Sequence, residues 1–169
     1  MAIMQLISKS EIVSIAINDA NFETTFIKDS IINLANLKYV KPLLGEDLYY
    51  QILVEALASS FTPENQTLVD DYIKPILAYY IKAEILPDVF ARVSTAGLIM
   101  TTDEYGSNIG YKDRNDLIEA TKNHAENLSE LLIEFINETQ DNDPTAYLLY
   151  GSGSTTITKL NKGGLILWV

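Results

Sequence analysis

Proton-transfer chemistry in this chain would fall to three acidic pairs and one histidine. Glu46–Asp47, Asp70–Asp71 and Asp103–Glu104 each set two carboxylates side by side, where one can be held protonated by its neighbour and serve as acid while the other serves as base. Two of these pairs fall near helix starts or on exposed helical faces, where carboxylates are expected without any catalytic role. His124 is the only histidine. Glu119 and Glu126 lie near it in sequence, but it has no Glu-x-x-His partner of the kind that carboxylate-bridged metal bundles use, so a solvated or half-buried structural histidine is expected. "GSGST" at 151–155 resembles a phosphate cradle in composition alone. A helix-like segment precedes it, and it lacks the Gly-Lys-Ser/Thr ending. The same context argues against a nucleophile elbow. With no cysteine, thiol nucleophiles, disulfides and zinc–thiolate sites are excluded. The expectation is a protein with no catalytic constellation, no cofactor and no metal.

The tyrosines carry more information. "LKYVKPLLGEDLYYQIL" at 37–53 and "DYIKPILAYY" at 71–80 present Tyr, a β-branched residue, Lys, Pro and two large aliphatics in the same order. Pro42 lacks the N–H of a helix interior and disfavours helical geometry at Lys41. Gly45 permits a reversal, so a helix boundary is expected there. Pro75 is expected to kink or divide its helix, and no glycine follows it. With no third copy, the echo marks a recurring way of packing helices and not a repeat array. Tyr39, Tyr49, Tyr50, Tyr72, Tyr79 and Tyr80 crowd these two junctions. Adjacent tyrosines point to different helical faces, so one of each pair is expected to meet solvent or a partner.

The elements that must position these residues read as mostly helical. Ser8-x-x-Glu11 has the form of a capping box, although Val13, Ile15 and Ile17 alternate like a strand. Helix is expected from about Asn21, with Ile27, Ile31, Leu34 and Leu37 on its buried face. A second helix starts at Glu46 and runs to about Ser59, burying Leu48, Ile52 and Leu57. Thr62 and Pro63 then cap and open a third, to about 86. Its buried stripe is Val69, Ile73, Ile76 and Tyr80, widened by Leu68, Tyr72 and Leu77, and Pro87 stops or redirects it. Residues 92–112 read as a loop or small hairpin. The clearest helix spans about 113–140, with Leu117, Leu128, Leu131, Leu132, Phe135 and Ile136 buried, and "TAYLLY" adds at most one turn. The fold class is mainly α: a compact bundle of about four to five helices with a small loop or hairpin insertion. It divides into a helical domain at 1–149 and a flexible, Gly/Ser-hinged arm at 150–169, extended or a β-hairpin.

Length and charge bound the partners. At 169 residues the chain is of single-domain size. The net charge of −11 argues against tight wrapping or sequence reading of nucleic acid. It still permits a surface past which DNA slides. Lys159 and Lys162, with no acid from 150 onward, give the arm a small positive charge against the acidic body. No run approaches a membrane span, and the opening residues lack the pattern of a secretory leader.

The arm closes on Leu165, Ile166, Leu167, Trp168 and Val169. Burying each such side chain stabilises by roughly 1.5–3 kcal/mol, and an exposed patch of this kind is an aggregation hazard. It either folds back on its own domain or docks on another subunit; docking on a partner is the expectation.

The order of these features resembles the small head–tail connector (head-completion adaptor) proteins of tailed bacteriophages, most of all those of Bacteroidetes phages, including crAss-like phages. The residues that carry the resemblance are Tyr39, Val40, Pro42, Leu43, Leu44, Gly45, Leu48 and Tyr49, with "DPTAYLLY" after the long helix. It spans roughly residues 20–150. It implies a structural virion protein of the head–tail neck, assembled in the host bacterial cytoplasm. Such a protein forms a homo-oligomeric ring, commonly twelvefold, under the portal protein. The ring would dock further neck or tail proteins and meet DNA only as passing cargo, with no membrane. Two other readings stay open: a non-viral helical ligand-binding or regulatory domain, which needs an enclosed apolar pocket, and a small carboxylate-dependent hydrolase, which needs convergent acids in a cleft.

Overall fold

The computed structural model describes residues 5–19, 21–94, 97–100 and 111–151. The expected arm from 152 onward, with Leu165–Val169, lies outside them, as does the Asp103–Glu104 pair. The described chain is mainly α-helical, with five continuous helices and one short hairpin.

Helix α1 (residues 9–17) opens on a capping box. The Ser8 hydroxyl accepts from the Glu11 N–H while the Glu11 carboxylate accepts from the Ser8 N–H at 2.8 Å. The capping signal therefore prevails over the strand-like alternation that follows it. Val13–Ile17 form a π-helical turn that ends at Asn18 in the left-handed region.

Helix α2 (residues 29–44) starts eight residues later than Asn21. The Asn21 N–H is taken by the Asp19 carboxylate at 2.9 Å, a local turn that competes with capping. A short 3-10 turn, Thr24–Phe26, then leads into the helix.

Pro42 does not end α2. Asn36–Val40 form a π turn, with the Lys41 N–H donating to the Asn36 carbonyl five residues back, and Lys41 stays right-handed helical at φ −56°, ψ −47°. The wider turn moves the Lys38 carbonyl away from the proline ring, whose clash with it would otherwise break the helix. Pro75 repeats the arrangement. Leu68–Ile73 form a π turn, and the Lys74 N–H donates to the Val69 carbonyl. The echoed Tyr-x-Lys-Pro sequence thus encodes a π turn entering Lys-Pro, twice, inside continuous helices. The boundary comes three residues after Pro42, at Gly45 with φ 86°, ψ 162°, a conformation open to glycine.

Helix α3 (Glu46–Leu57) follows at once. Glu55 near its end accepts from the Thr62 N–H and the Asn65 amide at 3.2 and 2.8 Å, fastening the turn to the next helix. Helix α4 (residues 63–90) opens with Thr62 as cap and Pro63 in the first turn. Pro87 lies within its last turn, and the helix ends three residues later at Phe90. Strands β1 (Ala91–Ser94) and β2 (Gly97–Met100) pair antiparallel, Ala91 opposite Met100. Helix α5 (Tyr111–Asn142) is the longest element.

α4 is the hub, packing against α1, α2 and most extensively α5. Leu68, Ile73, Ile76, Leu77 and Ile81 on α4 are fully buried, together with Ile12 and Ile32. On α5 the buried stripe is Thr121, Ala125, Ser129, Leu132 and Ile136. Its small members let two backbones approach closely, and the two hydroxyls are satisfied by carbonyls four residues back, at 2.7 and 2.9 Å.

Several residues expected in the core are exposed instead: Leu34, Leu37, Leu57, Leu117 and Leu131. In α2 the helix begins only at Asp29 and takes its register from buried Ile32, Ala35 and Asn36, which puts Leu34 and Leu37 on the outer side; the π turn at Asn36–Val40 then keeps Val40 buried. In α5 the inward face runs through Thr121 and Ser129, leaving Leu117 and Leu131 off it.

Candidate interaction surface

The junction tyrosines mostly tie the bundle together. Tyr39 stacks on Tyr80 with ring centroids 3.7 Å apart and planes 3° from parallel. Its hydroxyl donates to Glu84 at 2.5 Å, and Lys38 reaches the same carboxylate at 2.8 Å. Burial, reinforced by Glu84, pushes the Tyr39 phenol up to about 12. For Glu84 burial works upward, yet the hydrogen bonds from Lys38 and Tyr39 outweigh it and hold the carboxyl below its ordinary value. Tyr72 stacks on Phe135 at 4.5 Å and Tyr79 meets His124 at 4.2 Å, both joining α4 to α5. Tyr49 is buried. Tyr50 is the member of its pair that faces outward.

α3 has more apolar surface than its burial uses. Eight of its 12 residues are apolar, yet only Leu48, Tyr49 and Ile52 are buried. On the opposite side, Tyr50, Val54 and Leu57 follow at spacings of four and three. They form one stripe, 49%, 63% and 70% exposed. A helix that is apolar all round ordinarily packs on both sides. Lys41 of α2 borders the stripe. Its ammonium lies 4.9 Å from the Tyr50 ring centre and 2.7 Å from Glu46, and exposed Leu37 and Leu34 sit one and two turns earlier. The hydrogen bond to Glu46 raises the Lys41 ammonium above its ordinary value.

A second apolar edge comes from residues 143–151. Tyr147 is buried in a left-handed conformation at φ 49°, and its hydroxyl donates to the Glu64 carbonyl at 2.9 Å. Burial pushes this phenol up to about 12 as well. Gln140 donates to the carbonyls of Ala146 and Tyr147, and the Gly151 N–H donates to the Leu44 carbonyl at 3.0 Å. The segment is thereby fastened to α5, to the start of α4 and to the α2–α3 junction. Leu148 and Leu149 are left exposed beside a cleft of about 430 Å3 whose walls include Leu48, Gln51, Glu64 and Asn65. The cleft is open and half polar, unlike the enclosed apolar pocket that a helical ligand-binding domain requires.

Among the described residues the acids are drawn to lysines. Glu46 pairs with Lys41, Asp70 with Lys74, and Glu11 from α1 reaches the same Lys74 at 2.7 Å. Burial works upward on Glu11, but the Lys74 and Ser8 hydrogen bonds outweigh it and lower its carboxyl to about 2. Glu11 and Asp70, both on Lys74, are thus ion-pair carboxyls held below their ordinary value and not raised-pKa acids. His124 is exposed against Tyr79. Among the described residues no cluster of His, Cys, Asp or Glu could hold a metal ion, and no helix is long and apolar enough to cross a membrane.

Sequence reasoning grouped Tyr50 with the junction and interface residues; it read Leu57 as core and did not single out Val54, Leu148 and Leu149, which the structure leaves exposed. The available signal was the composition of α3, apolar on more faces than one core can cover.

Among the described residues, fold and surface define a helical domain with an exposed apolar stripe and no assembled catalytic group. The chain belongs to the family of unknown function DUF6712, whose model matches residues 40–156. That span takes in α3, α4, α5, the outward stripe on α3 and the Gly151 anchor. No curated protein and no solved structure matches the chain.

Proposed function

We propose that this protein is a ring-forming structural subunit, the head–tail connector of a tailed bacteriophage, seated under the portal and continuing its DNA channel. The observation that carries the reading is the outward stripe Tyr50–Val54–Leu57 on α3. A contiguous apolar face on a helix already anchored by its other side is what a head-to-tail subunit interface needs. The order of motifs from Tyr39 to Tyr150 supports it, as does the acidic composition, which lets DNA pass without sticking. In the assembled ring the arm, with Leu165, Ile166, Leu167, Trp168 and Val169, reaches a neighbouring subunit or the portal. Many weak arms acting together hold firmly even where one does not. The test is reconstitution: light scattering and negative-stain imaging of the full chain with the portal protein give closed rings on the portal. Absence of any association removes the reading.

A further inference from the structure

The free subunit must tolerate its exposed stripe before any assembly, and three observations point to one occupant. The chain leaves the described body at Gly151, whose N–H is held by the Leu44 carbonyl at 3.0 Å, two residues before α3 begins. The exit is therefore fixed at the N-terminal end of the helix that carries Tyr50, Val54 and Leu57. Next, 13 residues separate Gly151 from Leu165. At about 3.3–3.6 Å per residue they reach on the order of 45 Å. The stripe from Glu46 to Leu57 runs only about 1.5 Å per residue, well within that reach. Last, the charges: α3 holds Glu46, Asp47 and Glu55 and no basic residue, with Glu46 paired to Lys41 of α2, while Lys159 and Lys162 precede the apolar run and no acid does so beyond Gly151.

We infer that residues 165–169 of the same chain dock on the outer stripe of α3 in the free subunit. Tethering decides between this occupant and a second copy. A five-residue apolar segment on a three-residue stripe returns too little to offset the cost of joining two separate molecules. A short tether supplies an effective concentration in the millimolar range without that cost. The inference goes beyond the ring reading, since it concerns the unassembled chain and holds whether or not a ring forms.

Trp168 is the only tryptophan, so its emission reports the docking directly. In the full chain at low micromolar concentration the emission lies at short wavelength and stays there on tenfold dilution. The double substitution Val54→Lys, Leu57→Lys moves it to long wavelength while helical circular dichroism is unchanged, because both side chains are exposed in the folded body. Solvent-like emission in the unmodified chain overturns the proposal. A short-wavelength emission that reddens on dilution assigns the stripe to a second copy and also overturns it. One that ignores both lysines places the segment elsewhere and overturns it as well. Portal binding does not enter any of these outcomes.

Discussion

Gly151 donates its backbone N–H to the Leu44 carbonyl across 3.0 Å, joining the end of the described chain to the residue that closes α2. Three residues before Gly151 stands Leu148, and before it Tyr147, whose hydroxyl fixes the same segment to the carbonyl of Glu64. The fastening is specific enough to test. Tyr147→Phe keeps the ring against Phe135 but leaves the Glu64 carbonyl without this donor, and a net loss of about 1 kcal/mol is expected. Urea denaturation of the two proteins measures it. A loss near zero would mean that the hydroxyl bond does not hold the segment.

The two π turns make an unusual prediction for proline. A proline in a regular helix interior costs about 3 kcal/mol, so its removal should stabilise by a comparable amount. Here the Val69–Lys74 bond already takes the widened path. Pro75→Ala is therefore expected to change stability by less than about 1 kcal/mol. A gain near the full value in chemical denaturation would show that Pro75 is strained in place.

The Tyr39–Tyr80 stack should behave as a coupled pair. A double-mutant cycle with Tyr39→Leu and Tyr80→Leu is expected to give a coupling of roughly 0.5–1.5 kcal/mol. Additive losses would reduce the stack to two independent burials.

Acid sensitivity follows from Lys74, which holds both Glu11 and Asp70. Glu11 is lowered to about 2 and Asp70 is lowered too. Below pH about 4.5 the unfolded chain takes up a proton at position 11 that the folded chain refuses, down to pH about 2. The stabilisation is therefore whole above that window and lost as pH falls through it. Both carboxylates are partly exposed, so solvent screening keeps the effect small. Lys74→Met should flatten the fall in urea midpoint between pH 5 and 2 relative to the unmodified protein. An equal slope in both would exclude the network as its source.

Much of the fold was legible because local signals agreed with packing. Ser8 and Glu11, Thr62 and Pro63, and the apolar stripe from Val69 to Tyr80 each satisfy backbone donors or bury side chains where their spacing says. What was not legible has local physical origins. Leu34 and Leu37 were misplaced because the helix starts at Asp29 and not near Asn21, with its register set by Ile32 and Ala35, and the π turns absorbed two prolines that a regular helix would reject. On α5 buried Thr121 and Ser129 hide their polarity in bonds to their own helix, which spacing of large apolar residues cannot reveal. The candidate surface was half visible. Tyr50 was marked by its pairing with Tyr49, but nothing in the spacing singled out Val54, and Leu57 read as core.

The arm can be tested apart from the body. Deleting residues 163–169 should leave thermal unfolding of the helices within a few degrees of the full chain if they dock outside the core that Ile73, Ile76, Leu77 and Ile81 of α4 build. Portal binding should be lost. If the truncated chain melts far lower while its folded fraction still binds, these residues belong to the core.

The most direct measurement images the full chain and its Val54→Lys, Leu57→Lys variant, each mixed with the portal protein, by negative stain. The unmodified chain should form closed rings on the portal, and the variant should remain unassembled while unfolding at the same temperature. Rings from the variant as abundant as those from the unmodified chain, or no portal binding by either, would contradict assembly through the outer face of α3.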